Sequence, residues 1–185
     1  MTLPYSAPVR APASSLRGAE RFFVALWPDE ATRERLALAG RRLCPQGRRV
    51  SIANLHVTMV FLGQVEPTRR KRIAGAMRAA CAPSLTLALD HCGYFSAGRI
   101  AWLGPSVMPL PLTALQGRLA ANHLERGFAL GKCMFRAHVT LARHAARPDA
   151  TSAGDALPVD WRVLSKALVR SRASRYDVLE ALPIR

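Results

Sequence analysis

Short apolar runs with the two-residue period of a strand alternate along this chain with segments that have the period of a helix. Residues 21–27, R-F-F-V-A-L-W, predict a buried strand that ends at Pro28. A helix should then begin at the capping residue Asp29 and run to about residue 43. Its apolar positions, which we expect to face partly inward, are Leu36, Leu38 and Leu43.

The same alternation continues to the end of the chain. A strand over 54–63 precedes a second helix, which Glu66 and Pro67 open with an acid and a proline in the first turn. Helical spacing over 112–127 predicts a third helix, with Leu112, Leu115, Leu119 and Leu124 on one side and Gly127 at its end. The other predicted elements are a hairpin of strands over 84–95 and 99–103, strands over 135–143, 161–170 and 176–184, and a surface loop or mobile lid over 145–158.

Two of these strands carry a histidine and a threonine two residues apart. Residues 54–63 read N-L-H-V-T-M-V-F-L-G, and residues 135–143 read F-R-A-H-V-T-L-A-R. Strand alternation places His56 beside Thr58 on one face, and His138 beside Thr140. One such pair is equally an ordinary solvated face, because the match is only two letters long. Two copies, each with strand, helix and strand around it, indicate an internal duplication and an α+β fold with two similar lobes.

Facing pairs of this kind suit one chemistry. One imidazole can take a proton from an attacking water or hydroxyl while the other gives a proton to the leaving oxygen. Histidine fits both roles because its unperturbed pKa is about 6.5. Each threonine hydroxyl can donate a hydrogen bond to a non-bridging oxygen of a phosphate held between the pairs. Such a site needs no metal, and the scarcity of clustered carboxylates argues against a two-metal centre.

Composition limits the class of protein and of partner. The 185 residues are 50% hydrophobic, enough for one domain or for two small lobes that share a core. Lys+Arg number 27 against 12 for Asp+Glu, a net charge of +15. Dispersed positive charge attracts nucleic acid, although an arginine-rich proteome would produce the same balance.

The remaining composition indicates a cytoplasmic protein. The four cysteines contain no C-x-x-C pair, so we expect buried, reduced thiols and neither a structural zinc site nor a disulfide framework. No apolar stretch has the length of a membrane span, and the N-terminus lacks the pattern of a secretory signal. Residues 1–18, rich in Pro, Ala and Ser, are expected to be a disordered lead-in before a single bilobal domain over 19–185.

The sequence resembles the two-histidine phosphoesterase superfamily, and within it the bacterial and archaeal RNA 2′,3′-cyclic phosphodiesterases, historically called 2′-5′ RNA ligases. The resemblance extends over about residues 21–183. The segments that carry it are R-F-F-V-A-L-W, L-H-V-T-M-V-F-L-G, R-I-A-W-L-G, H-V-T-L-A-R and L-V-R-S-R-A-S-R-Y-D-V-L. The fold it implies has two pseudo-symmetric lobes, each an antiparallel sheet with helices packed outside, which enclose a central cleft.

The resemblance also implies an activity and residue roles. The expected reaction hydrolyses an RNA 2′,3′-cyclic phosphate end and leaves a 2′-phosphate, with no cofactor, no membrane and no obligate protein partner. His56 corresponds to the proton donor and His138 to the proton acceptor, although two pseudo-symmetric histidines leave these labels exchangeable. Thr58 and Thr140 correspond to the phosphate-binding threonines.

Two further positions correspond to residues that flank the nucleobase. Phe61 and Arg143 each lie five residues after their histidine. Regular pleating would send both side chains to the opposite face, so they reach the cleft only if each strand ends, twists or bulges after Val60 and Ala142. A core position is the alternative for Phe61.

The other notable residues have structural interpretations. His91, His123 and His144 lack a threonine partner, and we expect Trp102 and Trp161 to be core or lobe-interface anchors. Arg175 stands before Tyr176, where the family often has glycine, and this leaves that turn and any substrate contact there open.

Two rival functions remain: action on 2′-5′ linked or other cyclic phosphate nucleotides, and RNA-end binding with incidental activity. We expect a monomer.

Overall fold

The computed structural model describes residues 18–44, 46–131, 134–149, 157–173 and 175–184. The predicted lead-in therefore lies, apart from Gly18, outside the described residues, as does part of the predicted loop over 145–158. Within the described ranges the elements are β1 (Glu20–Leu26), α1 (Glu30–Leu43), β2 (Arg48–Arg49), β3 (Val57–Val65), α2 (Arg70–Arg78), β4 (Leu85–Leu89), β5 (His91–Phe95), β6 (Ile100–Gly104), α3 (Leu110–Glu125), β7 (Val139–Arg143), β8 (Val159–Val163), β9 (Ser165–Arg172) and β10 (Arg175–Pro183).

The strands form two lobes that meet at one point. The main sheet has the order β10-β9-β1-β3-β7-β6-β5, with β2 beside β7, and every pairing is antiparallel. A single residue pair, Val57 opposite Val139, joins β3 to β7. On either side of this joint the order outward is the same, since β3 pairs with β1 and β7 with β6. The predicted pseudo-symmetry of two antiparallel lobes is confirmed.

Each helix packs on the outer side of a sheet, opposite the cleft. Helix α1 begins at Asp29, whose carboxylate accepts a hydrogen bond from the Thr32 amide at 2.7 Å, and it packs against β7 and β8. Helix α3 packs against β3 and α2. The leucines that face the shared core are Leu36 and Leu43 of α1 and Leu112, Leu115 and Leu119 of α3. Burial of each such side chain contributes about 1.5–3 kcal/mol.

Two leucines do not face inward as expected. Leu38 is 40% exposed and Leu124 is 54% exposed. A helix turns through about 100° per residue, so Leu38 lies on the side opposite Leu36, and Leu124 lies well off the line of Leu119. The helices form where the leucine spacing predicts them, but fewer of their leucines are buried than the spacing indicates.

Two predicted strands are each divided in the structure. The run 84–95 breaks at Asp90, whose carboxylate accepts hydrogen bonds from the amide and hydroxyl of Ser106, each at 2.6 Å. The run 161–170 likewise divides at Leu164, into β8 and β9. Consequently β4 and β8 pair with each other in a separate two-stranded sheet. Neither run contains a proline or glycine at the break, so the local pattern does not reveal it.

The thiols differ in part from the prediction. Cys44 is buried and Cys92 half-buried, whereas Cys81 is exposed and Cys133 lies outside the described residues. Burial raises the pKa of the Cys44 thiol to about 11. No helix in the described part of the chain is long and apolar enough to cross a membrane.

Candidate active site

The joint between the lobes brings the two His-x-Thr motifs together. Val57 and Val139 are fully buried, so their side chains point into the core. Their neighbours in sequence therefore project from the other face of the sheet. Because the strands are antiparallel, His56 lies across from Thr140 and Thr58 across from His138. All four side chains consequently surround one point of the cleft.

Both histidines are held by their own backbone. Nδ1–H of His56 donates to the carbonyl of Asn54 at 2.7 Å, and Nδ1–H of His138 donates to the carbonyl of Arg136 at 2.7 Å. Because Nδ1 of each neutral ring carries the proton, Nε2 of each ring carries the lone pair. Nε2 of His56 lies 3.0 Å from the hydroxyl of Thr58. Each Nε2 can therefore accept a proton or, once protonated, donate one.

The electrostatics favour neutral rings in the free protein. Burial lowers the pKa of His56 to about 4, and the positive charges of His138 and Arg143 act in the same direction. Burial likewise lowers the pKa of His138, helped by Arg136 and Arg143. Arg143 thus lowers the pKa of both imidazoles. An anion bound there would oppose each of these effects.

Aromatic side chains line the first lobe around His56. The ring of Trp27 stacks on the imidazole with centroids 5.5 Å apart, and Phe23 lies 4.9 Å away. Tyr176 meets it edge-on at 5.2 Å. These three rings come from β1, the segment after it and β10. They restrict the orientation of the imidazole and account for its burial.

The second lobe supplies a comparable wall around His138. Phe95 meets the imidazole edge-on at 5.1 Å, and Trp102 lies 6.0 Å away. The guanidinium of Arg136 stands 4.9 Å over the Trp102 ring. Trp102 is buried, as expected of an anchor, but it also belongs to the wall of the site. The places of Phe23, Trp27 and Phe95 in the site were not predicted, although alternation puts Phe23 and Trp27 on one face of the strand predicted over 21–27.

A β-bulge explains how Phe61 reaches the cleft. Thr58 pairs with Ala25, and Phe61 pairs with Phe23, so β3 has one residue more than β1 between these pairs. The extra residue is Met59, and both Met59 and Val60 are buried in succession. Since Phe23 and Ala25 share a face, Phe61 shares the face of Thr58. Phe61 is 39% exposed, so the core alternative is wrong.

The second lobe repeats this device after Thr140. Thr140 pairs with Trp102 and Ala142 with Ala101, which leaves Leu141 as the extra residue. Leu141 and Ala142 are both buried, and Arg143 returns to the face of Thr140. In both lobes the bulge falls on the residue directly after the threonine. In each lobe a bulge therefore lets the residue five positions after the histidine face the same side as the threonine.

The turn before Tyr176 departs from the glycine pattern. Ala173 has a φ of 39°, so the left-handed backbone falls two residues before Arg175. The guanidinium of Arg175 lies 3.7 Å from the carboxylate of Asp177. Tyr176 nevertheless keeps its ring against His56.

The remaining histidines lie outside this cluster. His123 is fully buried in α3, and its Nδ1–H donates to the carbonyl of Leu119 at 2.6 Å. His144 is exposed with a φ of 52°, and His91 contacts Trp102 at 5.6 Å between ring centroids. Among the residues that the structure describes, no group of three or more His, Cys, Asp or Glu side chains is placed to hold a metal ion.

A glycine beneath Trp102 gives a stability prediction. A Cβ on Gly93 would lie 2.0 Å from Cζ2 of Trp102, so Gly93→Ala must displace the indole from the wall. We expect a loss of about 1–3 kcal/mol in the free energy of unfolding, and several degrees in Tm. The control is Gly117→Ala in α3, where a Cβ meets nothing within 4 Å and should stabilise by about 0.5–1 kcal/mol. Chemical denaturation of both variants decides it, and an unchanged Gly93→Ala midpoint would contradict the packing.

The two lobes, the cleft between them and one His-x-Thr pair from each side define the two-histidine phosphoesterase fold. The chain belongs to the 2′-5′ RNA ligase superfamily, whose family model matches residues 25–175.

Individual relatives agree with this assignment. The chain is 35% identical over 103 residues to the RNA 2′,3′-cyclic phosphodiesterase of Escherichia coli (strain K12), covering 54% of this chain and 57% of that protein. It is 30% identical over 142 residues to the RNA 2′,3′-cyclic phosphodiesterase of Geobacillus stearothermophilus, covering 70% and 45%. The chain thus spans about half the length of the curated relatives it matches. The crystal structure of E. coli LigT complexed with 3′-AMP is similar with a TM-score of 0.76 at 26% identity, over 90% of this chain and 98% of that one.

Proposed function

We propose that this protein hydrolyses the 2′,3′-cyclic phosphate at an RNA end to a 2′-phosphate, without a metal. The observation that carries the proposal is the pairing of Val57 with Val139, because it sets two imidazoles and two hydroxyls around one point. A cyclic phosphate is a small anion that four such groups can hold from two sides. The names of the two curated relatives and the 3′-AMP bound to E. coli LigT support the same substrate class.

The reaction needs one base and one acid on opposite sides of the phosphorus atom. Nε2 of His138 takes a proton from water as the water oxygen forms its bond to phosphorus. Nε2–H of His56 gives a proton to the ribose 3′ oxygen as the bond from phosphorus to that oxygen breaks. The 2′-phosphate remains on the ribose, and one proton moves at each histidine. The roles of donor and acceptor follow the family resemblance.

The threonines and Arg143 act on the charge of the phosphate. The hydroxyls of Thr58 and Thr140 donate to the non-bridging oxygens from opposite lobes. These hydrogen bonds strengthen as negative charge develops in the transition state. The guanidinium of Arg143 adds a positive charge near both imidazoles and, with the ring of Phe61, flanks the nucleobase of the terminal nucleotide. Both side chains suit stacking with little base preference.

The proposed unit is a single bilobal domain over residues 19–185, since one continuous sheet joins the two lobes. The described cysteines are free, which suits the reducing cytoplasm. The proposed partner is RNA or a nucleotide with a 2′,3′-cyclic phosphate.

The test is product analysis of an RNA with a 2′,3′-cyclic phosphate end, incubated with the protein in excess chelator. We expect conversion to a 2′-phosphate at the same rate with and without chelator. A parallel reaction with a 2′-5′ linked oligonucleotide measures the rival activity. Absence of hydrolysis, dependence on added metal, or a clear preference for the 2′-5′ bond would contradict the proposal.

A further inference from the structure

The cleft face of the first lobe continues past Phe61 into a row of polar side chains. Arg21 lies two residues before Phe23 on β1 and therefore shares its face. Arg21 pairs with Gln64 of β3 and with Ser171 of β9. The three side chains form a row across three strands, on the same face as His56, Thr58 and Phe61.

This row borders a cavity. Its volume is about 540 Å³, and its lining residues are Ala19, Glu20, Arg21, Gln64, Ser171, Arg172 and Ala173. The lining is mainly polar and contains the guanidinium groups of Arg21 and Arg172, the carboxylate of Glu20, one hydroxyl and one amide. The guanidinium of Arg21, the hydroxyl and the amide are donors of the kind that bind phosphate oxygens.

The charge of the cavity is positive because its acid is already paired. The carboxylate of Glu20 accepts hydrogen bonds from Arg172 and, at 3.2 Å, from Arg170. The hydrogen bond from Arg172 and the nearby guanidinium charges hold the pKa of Glu20 below its usual value. Arg21 is exposed and, within the described part of the chain, forms an ion pair with no carboxylate. Arg21 is therefore available to an anion.

The position of the cavity relates it to the proposed phosphate site. Arg21 lies four residues along β1 from Ala25, the partner of Thr58, which is about 13 Å at about 3.3 Å per residue. Phe23 and Phe61 lie between the two points. A nucleotide held at Thr58 would place its base beside Phe61, and the strand leading into it would pass the row of Arg21.

We propose that this cavity binds an upstream phosphodiester of the RNA strand whose cyclic end occupies the cleft. The inference rests on the proposed function and adds a substrate class to it: oligonucleotide ends are preferred to mononucleotides. A basic groove beyond an aromatic platform is a general arrangement for binding single strands without base preference. The strand then contacts the first lobe at a phosphate, a base and a second phosphate in turn.

The kinetic test compares a short RNA and a mononucleotide, both with a 2′,3′-cyclic phosphate and the same terminal base. We expect kcat/KM to be higher for the RNA, and Arg21→Ala to lower that value about tenfold through KM. Gln64→Glu, which places a negative charge in the cavity, should act in the same direction. Neither substitution should change kcat/KM for the mononucleotide. Phe61→Leu should weaken the binding of both substrates. Arg118→Ala, on the outer helix α3, removes the same charge elsewhere and should change neither.

A binding test separates this inference from the proposed function. Anisotropy of a labelled RNA with a 3′-phosphate end, which contains no cyclic bond, measures affinity without chemistry. Arg21→Ala should lower this affinity about tenfold and reduce the slope of log K against log salt by about 0.7. Equal affinity of the parent and Arg21→Ala proteins, or equal loss in Arg118→Ala, would overturn the cavity as an RNA site. Failure of all hydrolysis with an intact Arg21 effect on binding would instead overturn the proposed reaction alone.

Discussion

Replacement of either His56 or His138 by alanine should lower kcat for cyclic phosphate hydrolysis by about 10²–10⁴-fold. In the proposed mechanism each imidazole transfers one proton, so either substitution removes one of the two transfers. The double variant should be only slightly slower than the single ones, because the two transfers act in one step. Single-turnover rates on a cyclic-ended RNA measure these losses directly.

The control for this experiment is His144→Asn. It removes an imidazole from an exposed residue with a φ of 52°, and asparagine tolerates that backbone. Its rate should equal that of the parent protein. Because His56 packs among three aromatic rings, thermal melting of each variant distinguishes lost chemistry from lost structure. Retention of the parent rate in a folded His56→Ala or His138→Ala protein would exclude the paired-histidine mechanism.

The dependence of the rate on pH should show the lowered pKa values. At pH 7 only about one His56 ring in a thousand is protonated in the free protein if its pKa is about 4. The acid must carry a proton to react, so kcat/KM should already fall as the pH rises towards 6.5. For an unperturbed acid and base, both with a pKa of about 6.5, kcat/KM would instead rise up to about pH 6.5 and fall only above it.

Substrate binding should shift the fall of the rate to higher pH. The cyclic phosphate is an anion across the whole range, and its charge favours the protonated imidazole and raises its pKa. The fall of kcat, which reports the complex, should therefore occur at higher pH than the fall of kcat/KM, which reports the free protein. Steady-state profiles, with NMR titration of the His56 ring in the free protein, provide the measurement. Free His56 titrating at or above pH 6.5, or a kcat/KM that still rises as the pH approaches 6.5, would contradict the burial of the site.

The local pattern was sufficient for most elements and for the groups proposed to react. A capping aspartate, leucines at helical spacing and Gly127 mark the helices, because the interactions that start and end a helix lie within a few residues. Two copies of a short motif in apolar strands were enough to nominate His56, Thr58, His138 and Thr140. The helices and the two motifs could both be predicted because each depends on residues that are close together in the sequence.

The tertiary structure decided the features that depend on pairing between distant strands. The bulges at Met59 and Leu141 exist only relative to β1 and β6, and they turn Phe61 and Arg143 toward the cleft. The breaks at Asp90 and Leu164 likewise follow from which strand each segment pairs with. Tyr176 reaches His56 only because β10 lies two strands from β1 in the sheet. Sequence alternation defines the two faces of a strand, but register across the sheet determines which residues of different strands meet, since that choice depends on contacts between segments far apart in the chain.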